Sequence, residues 1–331
     1  MLIQLYIIVK KAKRKISEFE YWPMWFFYAP FVPYWFWNSL KSGSFSYFCK
    51  VNPGIEFGGF LDYSKSKILD QIPSRFKPKT RFYKTKSDLE QLPEFPFVVK
   101  PDFGERGVNV ELIRSEKDWK NYPDLENIIV QEYLDLPMEF GVFYARSSAN
   151  QAEVLSITGK EFLVYISDGK STLESFVLGN PRSSTRKDYF KEKFKEDWLK
   201  IHPKGRKIFL EPIGNHNRGT KFFDASHLIT NELTQRISEI ANRIEGFYYG
   251  RFDVKANSEF DLMSGNFKVL EINGANSEPT HIYDPEYSLW KAYREVRRHF
   301  DIQYQISRNH PKTYSSLSFY KSILKRIFRC R

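Results

Sequence analysis

Cysteine is scarce in this 331-residue chain: there are two, Cys49 and Cys330, far apart and in no CxxC pair. That excludes a cysteine zinc site and a disulfide framework, and it fits a reducing, cytoplasmic setting. A secretory leader is not expected either. The N-terminal apolar stretch comes first and its charges (Lys10, Lys11, Lys13, Arg14, Lys15) follow, the reverse of a signal peptide. There is no zinc finger, no RRM-like aromatic motif and no basic zipper. Nucleic acid is therefore not expected as a partner, although the formal net charge is +11. No internal repeat of fixed period occurs. The basic surplus gathers at the two ends, the second group being Lys321, Lys325, Arg326, Arg329 and Arg331. Such ends favour an anionic membrane surface over a nucleic-acid groove.

Hydrophobic residues make up 41% and charged residues 27%, the balance of a globular protein with a sizeable core. Aromatics reach 17% and are unevenly spread. From Tyr21 to Leu40 no residue is charged. Twenty such residues match a bilayer span in length, but Pro23, Pro30 and Pro33 oppose one straight helix. Trp22, Trp25, Trp35 and Trp37 suit a headgroup interface. Two readings stand: a re-entrant or interfacial hairpin, or an aromatic-rich buried subdomain or oligomer interface. The C-terminal stretch from Tyr320 to Arg329 is amphipathic and basic, and suits the same surface.

The segment 52–69 carries Gly54, Gly58 and Gly59 and reads as a plain turn in preference to a phosphate cradle, with a helix from about Ser64. Beyond Pro78, strand-like runs fall at 95–100, 108–113, 127–134, 140–146, 153–159, 248–256 and 266–273. Helix-like runs fall at 115–121, 186–200, 226–245 and 286–300. The mixture predicts an α+β or α/β fold.

Three pieces carry candidate chemistry. In VVKPDFGERGVNV (98–110), Lys100 ends a strand and a loop with Gly104 and Gly107 follows. A strand-end lysine and the backbone N–H groups of a glycine loop can hold phosphates, though a plain hairpin has the same pattern. In IIVQEYLDLPMEFGV (128–142), a strand runs into Glu132, Tyr133 and Leu134, with Glu139 beyond. Backbone groups there can bond an adenine edge and a carboxylate can hold ribose hydroxyls; two solvated acids on a turn would look the same. In 250–279, Asp253 and Glu271 alternate with apolar residues on two strands, and Arg251 and Asn273 lie two residues from them. Period-2 geometry puts all four on one face. Two carboxylates and an amide oxygen suit Mg²⁺. The GKS in DGKST (168–172) is not a phosphate loop, because the glycine required five positions earlier is Val164.

In this order, the three pieces resemble the ATP-grasp superfamily over roughly residues 60–300, and most closely its D-alanine–D-alanine ligase and cyanophycin-synthetase-like branch. The GRxD strand followed by LEIN is the most specific part, and PKT at 78–80 and DGKST fit the same pattern. The resemblance implies an α+β ATP-grasp fold, two lobes clamping ATP, with a short aromatic N-terminal element. The chain then divides into an aromatic-rich N-terminal segment at 1–59, the ATP-grasp domain at 60–305 and a basic amphipathic tail at 306–331. The resemblance also implies a carboxylate–amine ligase working through an acyl phosphate, with ATP and Mg²⁺ or Mn²⁺.

By position, Lys100 and the loop holding Gly104 and Gly107 would meet the phosphates. Glu132, Tyr133 and Leu134 would meet adenine, and Glu139 the ribose. Asp253, Glu271 and Asn273 would hold the metal, and Arg251 would stabilise the oxyanion. Arg218, Asn215 and Asn217 would touch phosphate or substrate carboxylate, with His216 and Lys160 as further polar candidates. Glu278, His281 and Tyr283 would line the acceptor pocket. The partners implied are a small-molecule or cell-envelope-precursor acid and amine; residues 21–40 and the basic ends add the expectation of a cytoplasmic protein peripheral on the inner face of a membrane. Two alternatives remain: an ATP-grasp phosphotransferase acting on a hydroxyl, and a silent nucleotide-binding module. The stretch before residue 80 is shorter than the substrate-binding domain usual in these ligases, and the Asp253-to-Glu271 separation is longer than usual.

Overall fold

The computed structural model describes residues 18–104, 107–147, 151–214, 218–310 and 315–329. The chain divides into two compact units. The first comprises Met1–Gly104, Asn109–Gly159 and Phe223–Arg331; the second comprises Glu105–Val108 and Lys160–Phe222.

The first unit begins with α1 (Met24–Tyr28), a 3₁₀ turn at Ala29–Phe31, and α2 (Val32–Ser42). Pro30 and Pro33 each sit in the first two positions of an element, where the missing N–H costs nothing. The charge-free run is thus broken into short helices, and no described helix is long and apolar enough to cross a membrane. Phe27 and Phe31 pack against Ala292 and Val296. The glycine-rich segment then lies against the sheet. Asn52 Nδ2 donates to the carbonyls of Gly58 (2.9 Å) and Tyr249 (2.8 Å). Its Oδ1 accepts from the N–H groups of Tyr248 (2.8 Å) and Tyr249 (2.9 Å). Gly59 and Gly274 touch backbone to backbone, so close that a Cβ on Gly59 would lie 2.7 Å from Gly274 Cα. The glycines serve close chain packing. Helix α3 (Lys65–Asp70) starts where expected, capped by Ser64.

Strands β1 (Thr80–Tyr83), β2 (Phe97–Pro101), β3 (Glu111–Ile113) and β4 (Ile128–Glu132) form an antiparallel sheet of order β1-β4-β2-β3. Helix α4 (Glu116–Asn121) contributes Trp119 to its core. The strand expected at 108–113 starts only at Glu111, because Asn109 takes a positive φ of 56° that breaks the extended backbone.

A second sheet carries β5 (Met138–Arg146) and β6 (Ala152–Glu161). The second unit holds the hairpin pair β7 (Val164–Ile166) and β8 (Lys207–Phe209), with α5 (Leu173–Gly179) and α6 (Lys187–Lys193). The helix expected at 186–200 ends at Lys193, where the chain turns and Trp198 returns to the small core of Leu173, Val177 and Phe190. After β9 (Lys221–Asp224), α7 (Asn231–Ala241) is shorter than the expected 226–245. Thr230 caps its N-terminus, and Ser226–Leu228 form a separate 3₁₀ turn.

Strand β10 (Tyr249–Ala256), helix α8 (Glu259–Met263) and β11 (Lys268–Asn273) follow. Helix α8 fills the long connection noted in the sequence. The second sheet has the order β11-β10-β5-β6-β9. Phe252 and Val254 share a core with Leu233, Ile237 and Ile240 of α7. Helix α9 (Leu289–Arg308), longer than the expected 286–300, places Ile306 beside Phe143 and Tyr249. Helix α10 (Ser316–Arg329) inserts Phe319 among Tyr47, Phe48 and Leu61.

Candidate active site

Strands β5, β10 and β11 run antiparallel, and their register stacks the candidate residues in rows. Asp253 pairs with Gly141 on one side and Glu271 on the other. Arg251 pairs with Phe143 and Asn273, and Lys255 pairs with Glu139. Side chains two residues apart share a face, so Arg251, Asp253, Lys255, Glu271, Asn273 and Glu139 emerge together. The expected convergence of Asp253, Glu271 and Asn273 is what the strands produce.

Immediately past this row the ladder slips: Val254 pairs with Val269, leaving Leu270 as an extra residue. A bulge frees a backbone group from the ladder. Here Lys100 Nζ, arriving from the other sheet, donates to Leu270 O (3.0 Å) and to Gln131 Oε1 (3.2 Å). Gln131 Nε2 donates to Thr80 Oγ1 (3.1 Å). The lysine is thereby fixed beside the acids. Burial lowers its pKa from the usual lysine value, with Glu271 acting in the opposite direction.

Arg251 forks onto Asp253, Nε to Oδ1 at 3.2 Å and an Nη to Oδ2 at 3.3 Å. Burial disfavours its charge, but Asp253, with Glu271 and Glu278 beyond, raises its pKa above the usual value. Asn273 Nδ2 donates to Asp253 Oδ2 (2.9 Å), and Asn273 Oδ1 accepts from Tyr63 (3.4 Å). Gly141 leaves room for this fork: a Cβ there would lie 3.0 Å from Arg251 Cδ and 3.5 Å from Asp253 Oδ1. Among the described residues no three His, Cys, Asp or Glu side chains cluster as a metal site. Asp253, Glu271 and Asn273 thus offer two carboxylates and one amide group on one face.

Two cations went unrecognised in the sequence. Lys65, at the start of α3, is buried, donates to the carbonyl of Gly104 and stands 3.8 Å from Glu271 Oε1. Asp102 ties the same helix start to the glycine loop, accepting from Ser64 Oγ (2.8 Å) and Ser66 N (2.6 Å). Lys255 donates to the carbonyls of Leu134 (3.0 Å) and Leu136 (3.4 Å) and lies over the Tyr133 ring. Its alternation with Arg251 and Asp253 was the available signal; for Lys65 there was none, since it meets Glu271 only through the fold.

Of the other expected residues, Glu132 is exposed and bonded to the backbone of Lys79, while Glu139 is buried. Arg251 also donates to the carbonyl of Glu278 (3.2 Å). Glu278 Oε1 accepts from Tyr28 (2.7 Å) and Tyr283 (3.1 Å), so α1 reaches this neighbourhood. His281 lies behind, buried, with its Nδ1 unpartnered among the described residues. In the second unit, Arg218 bonds Gly107 O (2.9 Å) and approaches Glu211 (3.4 Å), which Arg186 (3.4 Å) and Lys193 (3.8 Å) also flank. Lys160 ends β6. Asn215, His216 and Asn217 lie outside the described residues.

No family profile matches the chain, and no curated protein matches it. Solved structures do. A bifunctional glutathione synthetase from Pasteurella multocida matches with a TM-score of 0.37 at 14% identity, over 71% of this chain and 35% of that one. The D-alanine–D-alanine ligase from Bacillus anthracis complexed with ATP matches at 0.39 and 13%, over 73% and 64%. The ATP-grasp ligase PsnB complexed with minimal precursor matches at 0.36 and 12%, over 70% and 57%. The chain spans less than two thirds of the length of each of these three. The chain is an α+β protein that resembles ligases of solved structure, among them an ATP-grasp ligase.

Proposed function

We propose that the chain is an ATP-dependent ligase that joins a carboxylate to an amine through an acyl phosphate, with Mg²⁺ or Mn²⁺ as its ion. The observation that supports this most is the single face formed by the Asp253–Glu271 and Arg251–Asn273 pairs, with Lys100 fixed beside it at Leu270. The donors of that face are hard oxygens, the kind that hold Mg²⁺. Asp253, Glu271 and Asn273 would hold the ion, which supplies neutralisation of phosphate charge. Lys100 and Lys65 would meet the phosphates from the adjoining elements, and the loop of Gly104 and Gly107 would contact them as well. Glu132, Tyr133 and Leu134 would border the adenine, and Glu139 the ribose.

Arg251 would neutralise the charge that develops on the carboxylate carbon's oxygens as the amine adds. Arg218 and Asn215 would contribute to phosphate or carboxylate binding. The amine must lose its proton to attack. Glu278, braced by Tyr28 and Tyr283, would receive the ammonium and take that proton. Burial, then the charge of Glu278, raise the pKa of Tyr28 well above the usual phenol range, so it stays a donor. The catalytic contribution is positioning and charge neutralisation rather than covalent chemistry by the protein. The acid and amine would be small molecules or cell-envelope precursors, met in the cytoplasm.

The test is ADP release across amino acids, peptides and envelope precursors, with product masses. An amide or peptide product made with ADP and phosphate bears the reading out. A phosphorylated alcohol would replace it with a phosphotransferase.

A further inference from the structure

Helix α2 is inside out. Its buried side chains include Asn38 and Ser39, each 1% exposed, while Val32 (57%), Phe36 (47%), Trp37 (57%) and Leu40 (54%) face outward. Positions 32, 36 and 40 are successive turns of one stripe. A helix selected only for water and its own core has the opposite pattern. Helix α1 adds Trp25 (73%) and Phe26 (48%). Exposed apolar residues scattered singly need no account, but a contiguous stripe does.

The fold brings a second segment to this place. Ser316 Oγ lies 3.0 Å from Ser46 Oγ, and Tyr320 donates to the carbonyl of Phe45 (3.0 Å). Helix α10 thus docks next to α2 by its Phe319 side, with Trp35 and Ile323 in the same cluster. Leu317 and Leu324 stay exposed, and so do Lys321 and Lys325. Both segments are devoid of acid: no Asp or Glu occurs between Tyr21 and Ile55, or after Asp301. Every formal charge on them is positive. Two stretches some 270 residues apart, each apolar and cationic, meet through these contacts.

We infer that α1, α2 and α10 form a docking surface for an anionic lipid bilayer. The occupant is chosen by charge complementarity. Tryptophan and phenylalanine enter the headgroup boundary, and lysines add electrostatic attraction to an anionic leaflet. A second copy of this chain would bring cation against cation. This inference is independent of the ligase reading.

The test is co-sedimentation of the purified full chain with vesicles of phosphatidylcholine, alone or with one third phosphatidylglycerol. Binding to the anionic vesicles, weakened by salt, is expected. The variant Trp25→Ser/Trp37→Ser/Leu40→Ser should bind about tenfold more weakly with unchanged circular dichroism, since it removes only exposed apolar groups. Lys321→Glu/Lys325→Glu should lose the preference for phosphatidylglycerol. Failure of the wild-type chain to sediment with anionic vesicles, or equal binding by the triple variant, overturns the inference. So does a stable dimer in vesicle-free ultracentrifugation that the triple variant dissolves. ADP release measured without vesicles reports on the ligase reading separately.

Discussion

Leu270 gives Lys100 its anchor. The residue is extra in the β10–β11 ladder, and its carbonyl accepts the Lys100 ammonium at 3.0 Å. The irregularity that sets Asp253 opposite Glu271 therefore also holds a cation from the neighbouring sheet beside them.

Glu271→Gln keeps the shape of the side chain and removes its charge. Turnover is expected to fall about 100-fold or more, with the thermal midpoint unchanged. ADP release under saturating ATP and Mg²⁺ measures it, and activity within twofold of wild type would remove Glu271 from the metal set.

Lys100→Met removes a buried ammonium. The lost bonds to Leu270 and Gln131 are offset by the relief of burying a charge, so stability should change by only about 1 kcal/mol. Affinity for ATP, read by calorimetry, should fall about 10- to 100-fold.

Gly141→Ala places a methyl group 3.0 Å from Arg251 Cδ. The guanidinium must shift from its fork on Asp253, so kcat should drop about tenfold while ATP affinity holds. An unchanged kcat would separate the arginine's position from the chemistry.

Tyr28→Phe removes one donor from Glu278. The KM for the amine is expected to rise about tenfold with the KM for ATP unchanged, and Glu278→Gln should do more. Equal rises in both constants would indicate a structural role alone.

His281 introduces an acid limb to stability. Burial pushes its pKa down to about 4, against 6.5 in the unfolded chain. The native state then binds fewer protons, so stability is full above the unfolded value and is lost as pH falls through the window toward 4. The loss is on the order of 3 kcal/mol, and His299, shifted in the same direction by burial, adds to it. Urea unfolding near neutrality and at mildly acid pH measures this slope, which His281→Phe should flatten.

The central hairpin was legible because alternation alone aligns Arg251, Asp253, Glu271 and Asn273, and the start of α3 was legible from its Ser64 cap. The Leu270 bulge was not, since nothing local distinguishes an extra residue in an apolar strand. Lys65 was missed because its partner lies some 200 residues away. The helix at 186–200 was overextended for a related reason: its helix-compatible residues continue, but Trp198 is drawn back to bond Glu174 (3.0 Å). The charge-free run could be read for composition but not for orientation, and only the fold shows that Asn38 is inside and Trp37 outside.

One side-chain amide completes the second sheet. Asn52 satisfies the N–H groups of Tyr248 and Tyr249 and the carbonyl of Tyr249 at the strand that carries Arg251. A fragment begun at Phe60 would strand those peptide groups in an apolar interior. The early segment therefore acts as part of the same folding unit as that strand's first residues, and trimming it is expected to cost stability or soluble yield.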